Sequence, residues 1–181
     1  DEELNREIAL KEILPAYADS DENRRRFIRE AEITGALEHP GIVPVYSLGE
    51  FPDGRPYYAM RLIRGVDLRT AIEDYHSRPA GRAEKQLEFR QLLARFVTVC
   101  QAVYYAHNRG VLHRDLKPGN IMLGDYGETL VVDWGLAKVI GSDEDVALTT
   151  RMVRTPETEG AASGTRIGTT IGTPAYMSPE Q

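Results

Sequence analysis

The sequence has 181 residues, of which 41% are hydrophobic and 28% are charged, the composition of an ordinary globular protein. Its net charge of −6 argues against a nucleic-acid binder that relies on a broad basic surface, so no nucleic-acid partner is predicted. No apolar run approaches the roughly 18 residues of a membrane span, so no membrane segment is predicted within the chain.

The first third of the chain predicts strands around one helix. Residues 7–14 read as a short buried strand that contains one lysine, Lys11. A helix is predicted from a cap at residues 20–21 to about residue 38, where a His-Pro-Gly sequence ends it. Residues 42–51 and 55–63 then predict two strands joined by a turn with Pro, Asp and Gly.

The rest of the chain is predicted to be mainly helical. A short helix over residues 67–77 is followed by a polar surface loop over 78–86. Apolar residues at helical spacing predict the strongest helix over 87–108, with Cys100 as a buried structural thiol. A hairpin with its turn at 124–128 follows, and a Thr-rich and Gly-rich stretch without apolar periodicity comes next.

Four motifs then occur in a fixed order. They are IALK at residues 8–11, HRDLKPGN at 113–120, DWG at 133–135 and SPE at 178–180. On these motifs nearly the whole chain resembles a eukaryotic-like (Hanks-type) Ser/Thr protein kinase. The phrases HPGIVPVY and GTPAYMSPEQ resemble the bacterial branch of that family.

The resemblance implies an α+β, two-lobed fold that is incomplete. Residues 1–62 would form a small strand-rich lobe without its Gly-rich loop, and 63–66 a hinge. Residues 67–181 would form a helical lobe without its later helices, with the activation segment at 133–180. The chain begins with Asp1 rather than methionine, and we expect it to be a piece of a longer kinase.

The resemblance assigns the chemistry to four residues around the second and third motifs. Asp115 would accept the proton of the substrate hydroxyl, a role in which a positioned base contributes about 10²–10⁴-fold. Lys117 would face the transferred phosphate. Asn120 and Asp133 would offer oxygen ligands to Mg²⁺, which prefers such hard donors. Read alone, each of these residues could equally be a turn, cap or solvated residue.

Lys11 needs a partner because it lies between apolar neighbours in a predicted strand. The family pairs this lysine with a helix glutamate and with ATP phosphates. Glu30 is the first choice for that glutamate, and Glu32 is the alternative that another helix register would allow. His113 is expected to be structural, and Trp134 to pack in place of the usual Phe, with an indole N–H that needs a partner if buried.

The family also suggests an adenine site and a regulatory site. The adenine site would use Ala9 and Met122 on the two faces of the ring, Met60 as gatekeeper, and the backbone of Arg61 and Ile63.

The regulatory site would use Arg114, which would dock a phosphothreonine of the activation segment. Thr165 is the first candidate for that modification, followed by Thr169 and Thr170. Thr173 would instead contact Asp115 and Lys117 and stay unmodified.

The predicted function is ATP-dependent phosphorylation of Ser or Thr on protein substrates, with ATP and Mg²⁺ as the bound groups. The alternative is a non-catalytic pseudokinase or a regulatory binding module. A single thiol and the lack of a visible signal peptide favour a cytoplasmic location.

Overall fold

In the described residues the strands form three small antiparallel sheets. The structure is a computed structural model that describes residues 1, 4–140 and 172–179. Its strands are β1 (Ile8–Glu12), β2 (Val45–Glu50), β3 (Pro56–Arg61), β4 (Gly65–Asp67), β5 (Val111–Leu112), β6 (Ile121–Gly124), β7 (Thr129–Val131) and β8 (Lys138–Val139). They are ordered β1-β3-β2, β4-β6-β7 and β5-β8. The predicted hairpin with its turn at 124–128 is confirmed as β6 and β7.

Four α-helices accompany these sheets in the described residues: α1 (Pro15–Ala18), α2 (Asp21–Gly35), α3 (Leu68–Ser77) and α4 (Arg82–Asn108). Two predicted caps are confirmed. The Ser20 hydroxyl accepts the Asn23 N–H of α2, and the Asp67 carboxylate accepts the Thr70 N–H of α3 at 2.7 Å. Each cap satisfies a backbone donor that the first turn of a helix leaves unpaired.

The polar loop predicted over residues 78–86 is wrong in its second half, because α4 already begins at Arg82. Residues 82–86 are good helix formers, yet they lack the apolar spacing by which the helix was recognised. They are also anchored on α3, since the Lys85 ammonium donates to the Tyr75 carbonyl and lies over the Tyr75 ring.

The prediction that Cys100 is buried is also wrong, because its side chain is exposed. The helix α4 is apolar on more than one face, and periodicity does not say which face meets the core. Val99, Ala102 and Ala106 face inward and are 2% exposed or less. Phe96 on the Cys100 side remains 58% exposed. None of the helices within residues 4–140 is long and apolar enough to cross a bilayer.

The helix α2 connects the two apolar cores of the described structure. Phe27 and Ala31, one turn apart, pack in a small core with Tyr58 of β3. Ile33 and Leu37 belong to the larger core beside α4, β6 and β7. Phe27 and Ala31 share one face of α2 as an i, i+4 pair, whereas Leu37 lies just beyond the end of the helix. The helix and the turn that follows it therefore contact both cores. The predicted α+β class is confirmed in this part of the chain.

Two further contacts fix the chain segments that lie between the smaller and the larger apolar core. The segment before β2 bridges to β7, where the Val131 N–H donates to the Gly41 carbonyl at 2.8 Å. Gly65 in β4 has a φ of +146°, and a Cβ there would lie 1.9 Å from the Leu123 carbonyl oxygen. Only glycine tolerates both the conformation and the approach. The predicted hinge at 63–66 overlaps β4, which begins at Gly65 and pairs with β6.

Candidate active site

The segment between β5 and β6 gathers polar side chains around one carboxylate. The Lys117 ammonium donates to Asp115 Oδ2 at 2.7 Å, and the Thr173 hydroxyl donates to Asp115 Oδ1 at 2.7 Å. The Asn120 amide donates to the Asp115 backbone carbonyl at 2.9 Å and approaches Oδ2 at 3.3 Å. We call Asp115, Lys117, Asn120 and Thr173 the loop cluster. The predicted contacts of Thr173 with Asp115 and Lys117 are confirmed.

The loop cluster keeps Asp115 ionised at neutral pH. Burial acts to raise the pKa of this carboxyl, but hydrogen bonds from Lys117 and Thr173 and the lysine charge outweigh it. The pKa of Asp115 therefore lies below its ordinary value. An ionised carboxylate accepts hydrogen bonds only, so it can receive a proton from an approaching hydroxyl.

His113 belongs to the same segment between β5 and β6, but its side chain is buried and is not a member of the loop cluster. Its ring is buried against the Trp134 ring at 4.6 Å between centroids. Nδ1 accepts the Asp115 N–H at 3.3 Å, so Nε2 carries the proton and donates to the Val132 carbonyl at 3.2 Å. Burial lowers the pKa of His113, which agrees with the predicted structural role. Trp134 is buried, and its indole N–H has no partner in the described residues.

A second group of polar side chains meets between β1, α2, β3 and the end of the hairpin. The Lys11 ammonium lies 2.5 Å from Glu30 Oε1 and 3.2 Å from Asp133 Oδ1. The Tyr58 hydroxyl donates to the same Glu30 oxygen at 2.8 Å. We call Lys11, Glu30, Tyr58 and Asp133 the interlobe cluster. Glu32, the alternative partner of Lys11, is exposed.

Charge dominates the interlobe cluster. Burial acts to lower the pKa of Lys11, but the carboxylates of Glu30 and Asp133 outweigh it and hold that pKa above its ordinary value. Glu30 is 8% exposed, so its charge depends on the donors that surround it. Gly135 leaves room for this carboxylate, because a Cβ there would lie 3.1 Å from Glu30 Oε2.

Asn120 and Asp133 are the residues that could hold a magnesium ion. The Asn120 amide nitrogen is committed to Asp115, which assigns the orientation of the side chain and leaves its oxygen as the remaining acceptor. The Asn120 carbonyl accepts the Val132 N–H at 3.0 Å, so the two predicted ligands stand on adjoining chain segments. Asp133 has a φ of +62°, a region that non-glycine residues rarely adopt. An amide oxygen and a half-exposed carboxylate are donors that suit Mg²⁺.

An open cavity of about 310 Å³ lies between α2 and these two clusters. The residues that line it are Ile13, Asn23, Arg26, Phe27, Glu30, Asp115, Asp133, Gly135 and Leu136. The cavity therefore reaches from the interlobe cluster to the candidate base of the loop cluster.

The predicted adenine residues lie on both sides of the chain connection at residues 62–64. Ala9 of β1 stands opposite Met60 of β3 in the first sheet. Met122 of β6 stands opposite Asp67 in the second sheet. Met60 also packs on the small core, as an ordinary strand residue would. The Arg61 N–H donates to the Pro44 carbonyl at 3.0 Å.

Of the residues predicted for the regulatory site, only Arg114 is among the residues that the structure describes. This residue has a φ of +64°, and its Nε–H donates to the Leu136 carbonyl at 2.8 Å. Thr165, Thr169 and Thr170 lie outside the described residues, so their phosphorylation stays a prediction. Among the site residues, sequence reasoning missed Tyr58. The available signal was its place two residues before Met60, on the same face of a strand.

A carboxylate held by a lysine, beside a second lysine paired with a buried glutamate, is typical of a phosphotransferase. The family model described as "Protein kinase domain" matches residues 1–181. The chain belongs to the protein kinase family.

Several named proteins are similar to this chain. It is 40% identical over 185 residues to "Serine/threonine-protein kinase PknD" of Protochlamydia amoebophila, with 97% of this chain covered. It is 37% identical over 180 residues to the protein of the same name from Chlamydia pneumoniae, with 98% covered. The chain spans 18% and 19% of the length of these two relatives.

The solved kinase domain of Mycobacterium tuberculosis PknI is similar in fold. The match has a TM-score of 0.55 and 39% sequence identity, and it covers 72% of this chain and 50% of that domain's chain.

Proposed function

We propose that this chain carries the phosphoryl-transfer site of a Ser/Thr protein kinase, which moves the γ-phosphoryl group of ATP to a Ser or Thr hydroxyl of a protein substrate. The observation that carries the proposal is the loop cluster, in which an ionised Asp115 is oriented by Lys117 and Thr173 at the edge of an open cavity. Kinase relatives named for Ser/Thr activity support the substrate class.

In this mechanism each residue has one task. Asp115 accepts the proton of the substrate hydroxyl as that oxygen approaches the phosphoryl group. Lys117 lies beside Asp115 and offers its positive charge to the phosphoryl oxygens. Lys11, held by Glu30, directs its ammonium to the phosphates of ATP. Because phosphoryl transfer depends on positioning and charge neutralisation, these tasks suffice without a covalent intermediate.

Mg²⁺ would be held by Asn120 and Asp133, and when bound it neutralises charge on the phosphates. The adenine ring would lie between Ala9 and Met122, beside Met60. We place this activity in the cytoplasm, where ATP is available.

The test is a transfer assay on the full-length protein with Mg-ATP and peptide libraries that carry Ser, Thr or Tyr as acceptor. We expect phosphate on Ser and Thr, lost on chelation of the metal and in Asp133→Asn. ATP binding without transfer would instead support the pseudokinase alternative. Phosphate on Tyr alone would overturn the substrate class.

A further inference from the structure

The Glu30 carboxylate receives hydrogen bonds from two side chains, and only one of them is a lysine. Glu30 Oε1 accepts from Lys11 at 2.5 Å and from the Tyr58 hydroxyl at 2.8 Å. Tyr58 is 3% exposed, so its hydroxyl is out of reach of bulk water and depends on this acceptor. Burial and the Glu30 charge both raise the pKa of Tyr58, so the hydroxyl keeps its proton and remains a donor.

The position of Tyr58 connects the three elements that meet at this site. On β3 it stands directly opposite Lys11 of β1 in the antiparallel register. Its ring also packs against Phe27 of α2, with 5.3 Å between the centroids. One side chain therefore contacts the strand that carries the lysine and the helix that carries the glutamate.

The Lys11 ammonium has more than one hydrogen-bond acceptor. In this structure the Lys11 ammonium is shared between Glu30 and Asp133. A bound phosphate would compete for the same three donors, because an ammonium has no more to offer. If the Lys11 contact lengthened, a buried Glu30 would lose its strongest donor, and a buried carboxylate without donors is costly. Of the two donors to Glu30 among the described residues, the Tyr58 hydroxyl is the one that would remain.

We propose that Tyr58 is a positioning residue for phosphoryl transfer: its hydroxyl holds Glu30, and through it α2, in place while Lys11 engages the nucleotide phosphates. This inference rests on the proposed kinase function. It assigns to a strand tyrosine a task that packing alone would not require, since a phenylalanine would fill the same space.

The test compares Tyr58→Phe with Tyr57→Phe in the full-length protein. Tyr57 is the matched control, because it neighbours Tyr58 on β3 but its ring packs against Phe51, with 4.7 Å between the centroids, and not against Glu30. We expect Tyr58→Phe to lower kcat about tenfold, as for loss of a hydrogen bond to a charged group, with the KM for peptide unchanged. Tyr57→Phe should keep wild-type kinetics. Equal kinetics for the two variants would overturn the inference.

A double-mutant cycle separates positioning from general damage. In a Glu30→Gln background the added Tyr58→Phe change should cost less than about twofold, because the acceptor charge is already gone. A full tenfold loss in that background would show that Tyr58 acts independently of Glu30 and would refute the proposal. If Tyr58→Phe is recovered unfolded, Tyr58→Met serves instead, since methionine fills core space without a hydroxyl.

Hydrogen exchange with a saturating non-hydrolysable ATP analogue, which engages Lys11 but cannot transfer phosphate, gives a reading that does not depend on catalysis. The α2 amides should exchange faster in Tyr58→Phe than in Tyr57→Phe. A wild-type protein that transfers no phosphate would refute the proposed function, whereas the exchange comparison would still decide the role of Tyr58. Equal exchange in the two variants would contradict it.

Discussion

The loop cluster and the interlobe cluster differ in how their residues are brought together. Asp115, Lys117 and Asn120 come from one segment of six residues, and only Thr173 arrives from farther along the chain. In the interlobe cluster, Lys11 lies 19 residues from Glu30 and 122 from Asp133. The geometry of the loop cluster is therefore set mainly by the local backbone. That of the interlobe cluster depends on how α2 packs, so it is the part that a shift of α2 would disrupt.

Apart from loss of Asp115 itself, the largest expected effect comes from Lys117, also in the loop cluster. Lys117→Met should lower kcat by about 10²-fold, because it removes the preorganised charge that we propose faces the transferred phosphoryl group. Lys117→Arg should recover only part of the rate, since a guanidinium does not reproduce the ammonium geometry. Steady-state kinetics with a Ser/Thr peptide provide the measurement. Full activity in Lys117→Met would remove this lysine from the mechanism.

The next effect tests the interlobe cluster with a matched pair on one helix. Glu30→Gln should lower kcat/KM for ATP by about 10- to 100-fold, because it removes the buried partner of a part-buried, hydrogen-bonded ion pair. Glu32→Gln, two residues along and exposed, should stay within about twofold of wild type. The reverse result would mean that α2 sits in the other register when nucleotide is bound.

A smaller effect is expected at Thr173, the distant member of the loop cluster. Thr173→Val keeps the shape but removes the hydroxyl that donates to Asp115 and accepts from Lys117. We expect a loss of about five- to tenfold in kcat. Thr173→Ser restores the hydroxyl and should restore most of the rate. If Val and Ser variants behave alike, the loop cluster does not need this contact.

The smallest effect concerns stability and pH. Burial depresses the pKa of His113 in the folded state, so the unfolded chain binds its proton first as pH falls. Stability is therefore complete above the ordinary histidine pKa of about 6.5 and declines below it. Between pH 7.5 and 5.5 we expect this one residue to lower the Tm by about 2 to 4 °C.

Thermal melts of two histidine variants at both pH values would check this. His113→Asn should flatten the dependence, whereas His76→Gln, at an exposed position on α3, should leave it as in wild type. An unchanged slope in His113→Asn would show that other groups cause the acid sensitivity.

The same difference between the clusters explains what could be predicted from the sequence. The loop cluster was within reach because three of its four residues share the HRDLKPGN motif, whose spacing is kept in the fold, and Thr173 falls in the second recognisable phrase, GTPAY. The choice between Glu30 and Glu32 stayed open because the sequence does not give the rotation of α2 against β1. Tyr58 was missed since a strand tyrosine beside apolar neighbours looks like ordinary core. Cys100 was misplaced because apolar spacing on α4 does not tell which of its faces is covered.

The most direct test of this account measures Asp115→Asn in two ways on the same preparation. Because the proposed role of Asp115 is to accept the proton of the acceptor hydroxyl, the single-turnover rate of transfer should fall by about 10²- to 10⁴-fold. Affinity for Mg-ATP, which we assign to contacts of the interlobe cluster, should stay within about threefold of wild type. This is the result expected of a residue that acts only in the chemical step. Lost ATP affinity together with an unchanged single-turnover rate would contradict the division of labour between the two clusters.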